Sequence, residues 1–294
     1  MKKTSLLCII VACAGWGTSG IFVHYLSPYG FTSIHMTFIR SLAMFGCMAL
    51  YALISDRTLF KISFRHLLLT VGSGLAFFST ASCYFYSMTE SSVSTAVVLM
   101  YTAPIFVMIY SVLFLGEKLT KIKTLCVILM LIGCGLVSGI IGGFSFDAVG
   151  IIFGFMAGLS YSAYNILTKI QMKKGMNPIT ANLYGFFFSM LAGAICANVG
   201  HIPAMISQNT DVVLPLVILL GIVTSVMPYL TYSVALKYLP AGTASSLAIL
   251  EPMMATVLSI IFLGEKPKMV SSVGIVLILF SVFILSREKD ETSD

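Results

Sequence analysis

Apolar residues run along this chain in ten blocks of about twenty, broken by short polar stretches. The blocks fall at approximately 5–27, 33–55, 66–88, 93–115, 122–142, 148–168, 178–199, 212–235, 241–263 and 269–286. Blocks of this length match the hydrocarbon thickness of a bilayer. A segment in lipid must satisfy its own backbone hydrogen bonds, so each block predicts a helix. No connection has the composition of a soluble domain. Residues Arg287–Asp294 are charged and polar and predict a disordered tail.

The pattern repeats. The run FLGEK occurs at Phe114–Lys118 and again at Phe262–Lys266. The same offset pairs Pro104 with Pro252, Tyr84 with Tyr232, Thr95 with Thr243, Ala96 with Ala244 and Ser111 with Ser259. The chain therefore divides into a first unit, 1–146, a second, 147–286, and the tail, 287–294. Each unit holds five apolar blocks. An odd number of spans per unit makes the second enter the membrane upside down relative to the first. Such inverted repeats recur in secondary transporters, with the substrate near the midplane between them.

Charge sharpens the topology. Only 10% of residues are charged, 58% are hydrophobic and mean hydropathy is +1.00, so lipid is the solvent. The formal charge of +6 is distributed by loop, which points away from nucleic acid. With the N-terminus inside, fourteen Lys and Arg fall on the cytoplasmic side: Lys2, Lys3, Arg57, Lys61, Arg65, Lys118, Lys121, Lys123, Lys169, Lys173, Lys174, Lys237, Arg287 and Lys289. Two fall outside, Lys266 and Lys268, and Arg40 lies within a block. That imbalance predicts both termini in the cytoplasm.

Lys2, Lys3 and Ala12-Cys13-Ala14 look like a secretory signal with its cleavage site. The apolar stretch continues to Leu26 and nine more follow, so the segment reads as the first span. Seven Cys (8, 13, 47, 83, 126, 134, 196) all lie in apolar blocks with no metal-ligand spacing, and read as small packing residues. Gly135, Gly139 and Gly143 on block five, and Gly150, Gly154, Gly158 and Ser162 on block six, recur every four residues. This spacing lets helix backbones approach closely, within the bundle or at the seam of a homodimer.

Two ionisable groups lie well inside blocks. Glu251 is about ten residues into its span, or about 15 Å deep. On one helix it shares a face with the small residues Ala244, Ala248, Ala255 and Ser259, which predicts that it points into the protein. Pro252 follows it and removes a helix donor. Three roles stand open for Glu251: binding substrate or a proton, partnering Arg40 or free backbone N–H groups, or no role at all. Arg40 is about 10 Å deep. It could receive a substrate carboxylate, pair with Glu251 or snorkel outward; a structural or gating role is favoured.

Trp16 sits mid-block between Gly15 and Gly17, away from the interfaces that Trp usually occupies. It can wall a cavity or simply pack. Tyr84, Tyr101, Tyr161, Tyr164, Tyr229 and Tyr232 also fall within blocks and need partners for their phenols. Ser160, Ser162 and Asn165 add polarity to block six. The four His (24, 35, 66, 201) lie mostly near block ends. There is no GxxxxGK[ST], GxSxG or HExxH, which excludes an ATP-driven pump and names no hydrolase, cofactor or metal.

The stretches YTAPIFVMIYSVLFLGEK and LEPMMATVLSIIFLGEK, with Gly15–Gly17 and Phe38–Arg40, resemble the EamA family of the drug/metabolite transporter superfamily. The resemblance implies an all-α membrane protein of ten transmembrane helices in two inverted five-helix repeats. Spans 1, 3, 4, 6, 8 and 9 would surround a central cavity. It implies facilitated or ion-coupled movement of metabolites, often export of amino acids. The cavity candidates are then Trp16, Phe78, Tyr101, Tyr161, Asn165, Tyr229 and Glu251. Arg40, Pro104 and Pro252 are candidates for gating or structure. The second unit has Leu159 or Ser160 near the position of Trp16.

The expected function is a secondary carrier in a bacterial inner membrane. Its solute would be small and amphipathic, an amino acid or related compound, with protons as a candidate coupling ion. A nucleotide-sugar-like antiporter would need a strongly basic cavity, and the spans offer Arg40 alone. A passive channel and a membrane-embedded enzyme are the remaining alternatives. The enzyme would need clustered carboxylates or His at a membrane face.

Overall fold

The computed structural model describes residues 2–90, 93–116, 119–137, 147–264 and 269–287, and every regular element among them is helical. The acidic and basic residues of both FLGEK runs, Lys268, Gly139, Gly143, Lys289 and most of the tail lie outside these residues.

The first unit contains α1 (Lys2–Gly17), α2 (Ser19–Leu26), α3 (Ser33–Ser55), α4 (Phe64–Glu90), α5 (Val93–Met100), α6 (Ala103–Phe114) and α7 (Lys121–Val137). The second contains α8 (Ala148–Lys173), α9 (Pro178–Cys196), the short α10 (Ile202–Ser207), α11 (Thr210–Gly221), α12 (Met227–Tyr238), α13 (Ala241–Leu247), α14 (Leu250–Leu263) and α15 (Met269–Arg287). Among the described residues, eight helical stretches are long and apolar enough to cross a membrane. The block at 122–142 lies on α7 as far as Val137, and the block at 269–286 lies on α15, whose apolar part is Ser272–Leu285.

Local chemistry sets where helices start. Thr32 caps α3 through a capping box with His35, which also explains why His35 is buried near a span end. Asp147 accepts from Gly150 N at 2.9 Å to start α8, and Asn177 accepts from Ile179 N at 2.9 Å to start α9. Between α3 and α4, the hydroxyl and amide of Thr58 hold the Asp56 carboxyl below its usual range.

The molecule exposes apolar side chains outside and sets polar contacts within an apolar core. Ile195, Ile54, Phe114 and Phe262 are exposed, as suits a lipid-facing belt. Ser41 and Ser189 meet at 2.9 Å between α3 and α9, and Ser87 donates to Gly150 O at 2.6 Å between α4 and α8. The most extensive pairings are α4 on α8, α7 on α15, α3 on α9 and α1 on α12. The pair α5–α6 lies on α8, and α14 lies on α1.

Glycine explains two of these contacts. A Cβ on Gly17 would stand 2.8 Å from Ala255 N, and one on Gly158 would stand 2.8 Å from Leu99 O. Gly154 faces Leu99 and Ser87 in the same way. The small-residue stripe of α8 is therefore covered inside the bundle, which removes it as a dimer seam.

Two sequence expectations change. Lys169 does not lie in a connection. It is buried on α8, where Nζ donates to Leu236 O at 2.9 Å and to Leu239 O, carbonyls at the C-terminal end of α12 that lack helix partners. Lys173 does the same for the end of α6 through Leu115 O, at 2.9 Å. The fourth and ninth blocks are also not continuous helices. Each breaks at a two-residue turn, at Tyr101–Thr102 and at Ala248–Ile249. Among the Cys, Cys13, Cys83, Cys126 and Cys134 are buried, whereas Cys196 is exposed.

Candidate functional site

The second break builds the site. Pro252 has no N–H to give Ala248 O, and Glu251 N turns instead to Ala248 O, three residues back, at 3.0 Å. Leu247 O is left without its helix partner. The thiol of Cys13, on α1, faces Leu247 O and Ala248 O at 3.8 Å each. The turn also swings Glu251 into the first turn of α14. Its carboxyl enters an interior bounded by Cys13, Tyr84, Tyr101, Tyr161 and Tyr229, each close enough to feel its charge. Glu251 is half-buried amid these neighbours.

Arg40 reaches the same interior from α3. Residues Ile222–Val226 form one wide helical turn between α11 and α12, a form that leaves a carbonyl turned out of the ladder. Arg40 Nη2 donates to Thr224 O at 3.0 Å and Nε to Ser225 Oγ at 3.2 Å. Its guanidinium carbon lies 5.9 Å from the centre of the Tyr229 ring. Arg40 and Glu251 influence each other electrostatically without forming an ion pair. The Arg40 fork is held by the wide turn, which leaves Glu251 free of a cationic side-chain partner among the described residues.

Aromatic rings fill the space between the two charges. Trp16 lies 5.0 Å from Tyr229 and 5.3 Å from Tyr232, ring centre to ring centre. Tyr229 in turn contacts Phe77 at 5.1 Å, Phe186 at 5.0 Å and Tyr164 at 5.8 Å. Tyr232 donates to Asn165 Oδ1, and Asn165 Nδ2 donates to Tyr161 O at 2.7 Å, so Asn165 has a structural tie on both ends. Three buried donors among these described residues make no hydrogen bond of good geometry: Trp16 Nε1 and the hydroxyls of Tyr164 and Tyr101, the last on the Glu251 side.

Of the sequence candidates, Trp16, Tyr101, Tyr161, Asn165, Tyr229 and Glu251 converge on this interior, with Arg40 at its edge. Pro104 and Pro252 sit at the two breaks. Phe78 is half-buried and takes no part in the ring cluster, where its neighbour Phe77 stands instead. Sequence reasoning named Tyr164 and Tyr232 without a role and missed Phe77, Phe186 and the wide turn. The spacing Tyr161, Tyr164, Asn165, Thr168 was a usable signal, since these share one helix face. No cluster of three or more His, Cys, Asp or Glu that could hold a metal occurs among the described residues.

Comparison with known proteins gives this interior its context. One solved structure superposes with a TM-score of 0.77 over 97% of this chain and 96% of its own, at 16% identity, which shows a shared fold. An uncharacterized transporter of Archaeoglobus fulgidus is 28% identical over 287 residues, covering 95% of both chains. Another, from Clostridium kluyveri, is 30% identical over 71% of this chain and 68% of its own. A third, from Bacillus subtilis, is 26% identical over 94% of this chain and 88% of its own. The EamA-like transporter model matches residues 3–139 and again 148–287, one match for each sequence repeat. A multi-pass bundle with a polar, aromatic interior, matched twice over nearly its whole length, is a membrane transporter for a small molecule, and the chain belongs to the EamA-like transporter family.

Proposed function

We propose that the protein is a secondary carrier of ten spans in two inverted five-helix units, with both termini cytoplasmic, in a bacterial inner membrane. The packing supports a two-fold relation between the units. Exchange each helix for its counterpart and the α1–α12 contact becomes α8–α4, while α14 on α1 becomes α6 on α8. The pairs α3–α9 and α7–α15 map onto themselves. Rocking of the units about this interior would alternate access to the site.

Glu251 carries the functional assignment. A half-buried carboxyl deep in a membrane bundle, with Arg40 held elsewhere, is there to meet something that moves. Its partner is a solute ammonium or a proton. The aromatic walls suit the flat or apolar part of an amino acid or amine, and a phosphate would find the Arg40 guanidinium already engaged. Export of such a solute, exchanged against protons through Glu251, fits this chemistry.

Counterflow in proteoliposomes tests the proposal. Vesicles preloaded with an unlabelled amino acid, amine or nucleoside are diluted into trace labelled solute. Transient accumulation with at least one amino acid or amine is the expected result. Flux insensitive to the trans solute would indicate a channel, and no flux with any of them would remove the solute assignment.

A further inference from the structure

Beneath the aromatic rings lies a second polar space that the carrier proposal does not use. It is bounded by Ser73 on α4, Tyr164, Thr168 and Gln171 on α8, Asn182 on α9 and Ser233 on α12, with Phe77 and Phe186 separating it from Trp16 and Tyr229. All six polar side chains are buried. The space holds about one body the size of a water molecule.

The hydrogen bonds fix which atoms face it. Both N–H groups of Gln171 are engaged, with Leu69 O at 3.0 Å and Ser73 Oγ at 3.0 Å. Both N–H groups of Asn182 are engaged, with Pro178 O at 2.8 Å and Ser233 Oγ at 3.0 Å. Leu69 O and Pro178 O can only accept, which settles the orientation of both amides. The hydroxyl protons of Ser73 and Thr168 go to Thr70 O at 3.2 Å and Tyr164 O at 2.8 Å. The amide oxygens of Gln171 and Asn182 have no donor among the described residues. The hydroxyl of Tyr164, a residue 4% exposed, is buried, makes no hydrogen bond of good geometry and sits beside the hydroxyls of Thr168 and Ser233. The amide donors are drawn outward to the helices, which leaves at this space the two amide oxygens and the hydroxyls of Tyr164 and Ser233, whose protons no acceptor among the described residues takes up.

We infer that this space is a binding site for one small monovalent hard cation, of which sodium is the natural probe. Carbonyl and hydroxyl oxygens without a counter-charge are the donor set such ions take. An anion would find only two hydroxyl protons, because the amide N–H groups are engaged elsewhere. The ligands come from four helices of both units, so an ion here ties α4, α8, α9 and α12 together. Its occupancy would reach the main site through Phe77, Tyr164 and Tyr229.

The test needs no transport assay, so it succeeds or fails independently of the carrier assignment. The purified protein in detergent is melted in sodium chloride or choline chloride at equal ionic strength, and the emission of Trp16, the single tryptophan, is titrated with sodium. Sodium should raise the melting temperature saturably and change Trp16 emission, and choline should do neither. Tyr164→Phe keeps the ring, Ser233→Ala removes one oxygen, and each should weaken the sodium midpoint by about tenfold while melting like the parent in choline. Asn182→Asp adds charge to the ligand set and should strengthen it by a similar factor. Identical behaviour of the parent in sodium and choline would show a space for water alone and overturn the site. A sodium midpoint unmoved in all three variants would overturn this location for it.

Discussion

The chain breaks its membrane helices twice at matched places, and the two breaks differ in one respect that matters. At Tyr101–Thr102 and at Ala248–Ile249 the helix tightens to bonds three residues back, Thr102 N to Leu99 O at 3.1 Å and Ile249 N to Ser246 O at 3.1 Å. A proline follows each, Pro104 or Pro252. The first break is crossed by Gly158 of α8, and the second is faced by Cys13 of α1, while Gly17 of α1 seats farther along α14 at Met254 and Ala255. The residue before the proline is Ala103 in the first unit and Glu251 in the second. At the position of Tyr101 the second unit has Ile249. Duplication therefore copied a backbone device, and divergence placed a carboxyl on one copy and a phenol facing it on the other. The two breaks share a backbone form and differ in their chemistry.

If the two breaks belong to units of opposite orientation, the loops that follow them lie on opposite faces of the membrane. Cys placed at Lys121 and at Lys268, one at a time in a Cys-free background, should label from opposite sides. Labelling from one side alone would break the comparison at its root. A smaller effect is expected at the glycine seats. Gly17→Ala and Gly158→Ala each push a Cβ into backbone at 2.8 Å and should cost about 1–3 kcal/mol in thermal unfolding. Gly46→Ala, which meets nothing within 4 Å, should be nearly neutral. Equal tolerance at all three would mean that neither the α8 contact at the first break nor the α1 contact on α14 depends on close packing.

Much of this was legible in the sequence, for a physical reason. Lipid forces backbone bonds inside each segment, so apolar blocks map onto helices closely; the block at 33–55 is the helix Ser33–Ser55. Glu251 and Arg40 stood out because a charge in lipid needs a reason. The breaks themselves were not legible, because the apolar run is the same whether or not the backbone turns. The prolines hinted at a missing donor, but the two-residue turn depends on what packs against it. Phe77 against Phe78 could not be separated either, since both are apolar and one helix position apart. Lys169 was assigned to a loop by its charge, and only the free carbonyls at the end of α12 explain its burial.

The central claim is that the carboxyl on the second break meets the moving solute or proton. Counterflow by the parent and by Glu251→Gln, reconstituted side by side, tests it most directly. The Gln variant should keep the parent's melting temperature and lose counterflow by about tenfold to a hundredfold, as expected when a hydrogen bond to a charged group contributes about 1.5–3 kcal/mol. Unchanged counterflow in a folded Gln variant would contradict the account and leave Glu251 as a structural residue.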